Sequence, residues 1–191
     1  MGKLYKGIDD TLCSFIAAQH VFFVATAPLD RDGHVNLSPK GLNSFHVIDS
    51  KTVAYLDLTG SGIETVSHLK DNGRIVIMFC AFEGAPKILR LHGRGEAIEP
   101  DDPRFSELLA LFSERPPGVR SVVVVRLERI SDSCGYGVPV YRYEGERTQL
   151  VAWATRKGTE GLRQYRSEKN LQSIDGLPGL DANETPPRHA Q

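Results

Sequence analysis

The sequence predicts a small barrel, mainly β with flanking helices, rather than a doubly wound parallel sheet. Strand-like runs of β-branched and aromatic residues follow one another at close spacing, and single helical patterns interrupt them one at a time. There is no strand–GxGxxG–helix unit and no Walker A lysine, which removes the usual nucleotide-binding α/β readings.

Along the chain, Ile8, Leu12, Phe15 and Ile16 form a helical stripe over Ile8 to Gln19, with Asp9, Asp10 and Thr11 as capping chemistry. Val21 to Ala27 reads as a strand, Pro28 to Gly33 as a hairpin turn, and Val35 to Ser38 as a returning strand whose pairing Pro39 ends. Ser44 to Ile48 and Thr52 to Leu58 give two more strands around Asp49-Ser50. A helix over Gly62 to Lys70, with Ile63, Val66 and Leu69 on one side, closes at Asn72-Gly73. Arg74 to Phe82 and Ile88 to Ile98 form a long antiparallel pair. In its second strand Leu89, Leu91, Gly93, Gly95 and Ala97 oppose Arg90, His92, Arg94 and Glu96, marking one face wet or lining a polar site. Asp101 to Phe112 is an amphipathic helix and Ser121 to Ile130 a largely buried strand. A strand pair over Tyr141 to Tyr143 and Gln149 to Trp153 follows, then a polar helix near Glu160 to Glu168 and a disordered tail.

With 191 residues the chain can bury a core without disulfides or a structural metal. A net charge of −1 gives no electrostatic case for nucleic acid or an anionic membrane as partner. The apolar runs are strand-sized and no secretory leader opens the chain, so a cytoplasmic protein is expected. Cys13 and Cys80 fall on core-facing patterns, Cys134 lies among glycines, and no CxxC spacing exists; this fits a reducing compartment. Six scattered histidines without a paired spacing argue against a metal.

Two strand ends carry the functional signal. The first, Val35-Asn36-Leu37-Ser38-Pro39-Lys40-Gly41, offers a hydroxyl and an ammonium. The second, Asp57-Leu58-Thr59-Gly60-Ser61-Gly62, sets a Gly-Ser-Gly turn before a helix, whose free N–H groups and dipole favour a phosphate. Ser61 and Thr65 also suit plain capping and first-turn roles, and Glu64 in that turn opposes an anion.

These two segments, with Leu91-His92-Gly93-Arg94-Gly95-Glu96 and the element order, resemble the pyridoxamine 5′-phosphate oxidase-like flavin-binding family over roughly Ile8 to Ile130. The resemblance implies a six-stranded antiparallel split β-barrel binding FMN, with two subunits sharing each flavin. Residues 1–130 would form this domain, 131–180 an extension packing on the barrel or on the dimer partner, and 181–191 the disordered tail. Carried over by position, Asn36, Leu37 and Ser38 run along the isoalloxazine ring and Lys40 faces a substrate anion or the flavin's electron-rich edge. Asp57 and Leu58 lie against the ring and ribityl chain. Ser61, Gly62 and Thr65 fall at the phosphate, and Trp153 stacks near the flavin.

Four positions depart from the family pattern. Gly62 and Ile63 stand where an Arg-Lys pair binds the phosphate, Ile88 where a glutamine is usual, and Val35 where an arginine opens the strand motif. The phosphate then depends on Ser61, Thr65 and helix N–H groups, with Lys40 or Arg90 as cations. Pyridoxamine phosphate oxidation itself is disfavoured. The resemblance implies an FMN-dependent oxidoreductase, a cytoplasmic homodimer acting on a small molecule or electron donor, with no assigned catalytic residue. A non-catalytic flavin- or haem-binding sensor and a deazaflavin F420-dependent reductase are the alternatives.

Overall fold

The computed structural model describes residues 2–181. The first elements are a two-residue strand, β1 (Leu4–Tyr5), and α1 (Asp10–Ala17), started by the Asp9 carboxylate accepting from the Leu12 N–H at 2.8 Å. Then come β2 (Phe22–Thr26), β3 (Asn36–Lys40), β4 (Phe45–Asp49) and β5 (Thr52–Leu58). Helix α2 (Glu64–Asn72) ends at Gly73, whose φ of 71° is the left-handed conformation a glycine adopts without strain. The chain continues as β6 (Arg74–Cys80), β7 (Ile88–Ile98), α3 (Phe105–Ala110), β8 (Val119–Ser133) and α4 (Gln149–Lys169).

Every strand pairing is antiparallel, in the order β3-β2-β6-β7-β8-β5-β4, with β1 beside β8. The terminal strands β3 and β4 do not pair with each other, so the sheet curls without closing and forms a split barrel. Its eight strands are two more than the resemblance implies. The inner face follows the period of two: Phe22 and Val24, Val53 and Tyr55, Ile75, Ile77 and Phe79, Leu89 and Leu91 are all buried with Leu12 and Ile16 of α1. A smaller cluster of Ala54, Leu56, Phe112 and Val122 lies on the opposite face of β5 and β8, beneath α3.

Three sequence expectations change. Pairing does not stop before Pro39: β3 runs to Lys40, with Phe23 opposite Pro39, because an edge strand tolerates a missing donor. The helix expected from Asp101 begins only at Phe105, since Asp102 bonds the Arg104 N–H at 2.8 Å and holds a turn around Pro103. Among the described residues there is no strand pair at Tyr141 to Trp153. Residues 138–148 are irregular, and Gln149–Lys169 is one helical segment kinked at Gly158 (φ 64°). Beyond Asp181, the expected tail lies outside the described residues.

The extension folds back onto the barrel. Asn170, at the end of α4, is fully buried, and Leu180 packs with Ile63 and Val66 of the α2 end. Lys70 Nζ donates to the Gly179 carbonyl at 2.7 Å, and His34 pairs with Asp175 at 2.6 Å. No described helix is long and apolar enough to cross a membrane.

Candidate functional site

Strand β3 presents Asn36, Ser38 and Lys40 on one half-buried face and turns Leu37 and Pro39 outward, as alternation requires. The inward side chains join a polar chain. Ser38 Oγ donates to Asn36 Oδ1 at 3.1 Å, and Asn36 Nδ2 donates to Thr65 Oγ1 at 2.9 Å. Asn36 Nδ2 also reaches Thr26 Oγ1 at 3.3 Å, and that hydroxyl meets His68 Nδ1 at 2.9 Å. Burial pushes the His68 pKa down, and its Nε2 has no hydrogen-bond partner among the described residues.

Lys40 reaches inward to Asp57 Oδ1 at 3.0 Å, and Arg120 Nε reaches Asp57 Oδ2 at 2.7 Å. Asp57 is wholly buried. Burial alone would raise its pKa, yet Lys40 and Arg120 outweigh that and hold it at about 2. Two cations thus share one carboxylate, leaving the cluster net positive. The Arg120 guanidinium continues to the Gly60 carbonyl (3.3 Å), the Gly62 carbonyl (2.7 Å) and Asn170 Oδ1 (3.0 Å). Asn170 Nδ2 also donates to the Gly60 carbonyl, at 2.9 Å. Thr59 ties the other end of the turn to the Gly118 carbonyl through its N–H (2.7 Å) and hydroxyl (2.8 Å).

The turn itself faces solvent: Ser61 and Gly62 are exposed, and Ile63, preceding α2, gives it no side-chain cap. A Cβ on Gly62 would come within 2.7 Å of Glu64 Oε2, which places that carboxylate beside the turn. Beyond Lys40, a cavity of about 730 Å³ opens between β3 and the extension, lined by His20, Lys40, Gly41, Arg147 and Leu150. A second, of about 490 Å³, lies next to it at His20, Phe82, Tyr141 and Tyr143.

The structure therefore brings together Asn36, Ser38 and Thr65 as one group and Lys40 with Asp57 as another. Leu37 is 64 % exposed on the outer face, and Leu58 packs toward Phe112 on the α3 side. Trp153 stands edge-on to Tyr165, 5.0 Å between ring centroids, with Lys157 near both rings. Arg90 bonds Ser133 Oγ at 2.9 Å. Arg120 and Asn170 escaped sequence reasoning. The only signal, for Arg120 alone, was an arginine opening the apolar strand after Gly118 and an aspartate inside apolar β5; the β5–β8 register sets Asp57 opposite Ser121 and shifts there, which brings Arg120 to Asp57.

Residues 8–134 match the family model described as pyridoxamine 5′-phosphate oxidase. The chain belongs to that family. A curated member from Aspergillus flavus, the pyridoxamine 5′-phosphate oxidase family protein ustO, is 38 % identical over 94 % of this chain and 78 % of its own length. Among solved structures, a tagged single-substitution variant of HupZ from Group A Streptococcus is 27 % identical with a TM-score of 0.50, covering 66 % of this chain and 99 % of that one. A candidate pyridoxamine 5′-phosphate oxidase from Lactobacillus delbrueckii shares the fold, with a TM-score of 0.50, 20 % identity, and coverage of 67 % here and 98 % there. Within this family, the chain carries a buried Arg120 beneath the turn and the neutral Gly62 and Ile63 upon it. Among the described residues no group of three or more His, Cys, Asp or Glu side chains could hold a metal.

Proposed function

We propose that the chain is an FMN-binding flavoprotein and an oxidoreductase, acting as a homodimer on a small molecule or electron donor. Family membership supplies the cofactor class. The observation that carries the reading is that inward-facing β3 and the Gly60–Gly62 turn are tied to one buried, net positive cluster at Asp57.

The chain's residues fit the group in three places. The half-buried Asn36–Ser38 face offers hydrogen-bonding atoms along an extended edge, as a flavin ring and ribityl chain need. The uncapped start of α2 leaves N–H donors for a phosphate. Glu64 must turn away from Gly62, which a terminal carboxylate does by side-chain rotation. A bound flavin would supply hydride or electron transfer. Lys40, fixed by Asp57, holds a positive charge at the edge of the 730 Å³ cavity, where it stabilises an anionic substrate or the reduced ring. The extension narrows water access to that edge through Arg147 and Leu150. Leu37 on β3 and Val35 just before it, both exposed, favour burial against a second copy.

The visible absorption spectrum of the purified protein, followed by identification of any chromophore that heat releases, tests the reading. FMN released, or FMN taken up on titration and then reduced by a nicotinamide donor, is the expected result. A colourless protein that binds neither FMN nor another flavin refutes it.

A further inference from the structure

We infer that Arg120 and Asn170 are positioning residues for the cofactor's phosphate, so that the C-terminal extension is a working part of the flavin site. This rests on the flavin reading above and concerns how a chain without the Arg-Lys pair would hold a phosphate.

Arg120 is 4 % exposed and Asn170 fully buried, so neither meets a ligand directly. Their contacts act on the turn. Arg120 draws in the carbonyls of both Gly60 and Gly62, and Asn170 adds a second donor to Gly60. Every described peptide bond is trans, and in a planar trans peptide the N–H points opposite to the carbonyl of the same unit. With the Gly60 and Gly62 carbonyls turned inward, the N–H groups of Ser61 and Ile63 are turned outward. In the chain they directly precede the N–H groups of α2, which no side chain caps, and outward N–H groups at a helix start favour an anion.

Electrostatics points the same way. Lys40 and Arg120 share the single Asp57 carboxylate, so a net positive charge lies directly behind the turn in a dry environment. A cation placed behind the backbone thus does what the missing surface pair would do in front of it. Asn170 caps α4 and fastens the extension to this point, since it accepts from Arg120 and donates to Gly60. The Glu64 carboxylate beside Gly62 is the opposing charge.

The test compares FMN with riboflavin, which lacks the phosphate, by flavin fluorescence titration of the full chain, of Arg120→Lys and of Asn170→Ala. Lysine keeps a charge for Asp57 but cannot fork to two carbonyls. Both variants should lose FMN affinity by about tenfold or more, the factor for one charge-assisted backbone N–H bond to the phosphate that the loosened turn no longer makes, with riboflavin affinity unchanged. Equal loss for both flavins would mean general damage to the fold and would overturn the inference, as would no loss at all. Should Arg120→Lys unfold, Asn170→Ala, which leaves the Asp57 pair intact, decides alone. A parent protein that binds riboflavin as tightly as FMN overturns this inference and leaves the flavin reading standing. One that binds neither overturns both.

Discussion

Replacing Asp57 by asparagine is the sharpest test of the buried cluster. The substitution keeps shape and removes the charge that Lys40 (3.0 Å) and Arg120 (2.7 Å) share. Breaking a buried pair by deleting one partner costs about 3–5 kcal/mol. The lower end applies here, because Arg120 retains three other acceptors and Lys40 is partly exposed. The pH dependence gives a second, independent number. The Asp57 pKa falls from 3.8 to about 2 on folding, which corresponds to about 2 kcal/mol of stability. Since the folded value is the lower one, that contribution is complete above pH 3.8 and disappears as pH falls through about 2. Urea unfolding of both proteins from pH 6 down to pH 2 reads each effect. Asp57→Asn should be less stable by about 3 kcal/mol at pH 6, and the gap should narrow by about 2 kcal/mol toward pH 2. A gap that stays constant with pH would refute the claim that Asp57 is held ionised by its two cations.

Two further substitutions probe the phosphate end and the sheet. Glu64→Gln removes the carboxylate beside Gly62 and should tighten FMN binding roughly fivefold, the factor for two charges near 4 Å in water, measured by titration. Unchanged binding would mean that Glu64 faces away from the phosphate. Gly93→Ala would put a Cβ 2.1 Å from the Arg126 carbonyl at the β7–β8 bulge, and should cost about 3 kcal/mol in urea unfolding; an unchanged midpoint would contradict that close approach.

Strand periodicity made most of the barrel legible. The alternation of β7, the Asn72-Gly73 stop and the β-branched run of β8 all specify their elements locally. The start of α4 resembles a strand in sequence because Val151 and Trp153 also alternate, and because Gly158 interrupts the helical period. Leu150 and Ala154 carry the four-residue spacing that a strand reading discards. At the site, residues within one segment could be grouped from sequence: Asn36, Ser38 and Lys40 share a face because strands alternate. Arg120 meets Gly60 and Gly62 across some sixty residues, and Asn170 meets Gly60 from farther still. Such contacts depend on register and on the path of the extension, which no local pattern encodes.

Pro39 has a bearing on solubility. Strand β3 is a free margin of the sheet, and Leu37 on it and Val35 just before it are the sort of apolar side chains that invite another chain to add a strand. A proline sits in a ladder with its nitrogen turned away from its partner strand, so on this margin the missing proton is withheld from any newcomer. An incoming strand would find its register interrupted once it had passed Asn36, Leu37 and Ser38. The same residue that leaves β3 paired to β2 thereby acts as a gatekeeper against runaway stacking into fibrils.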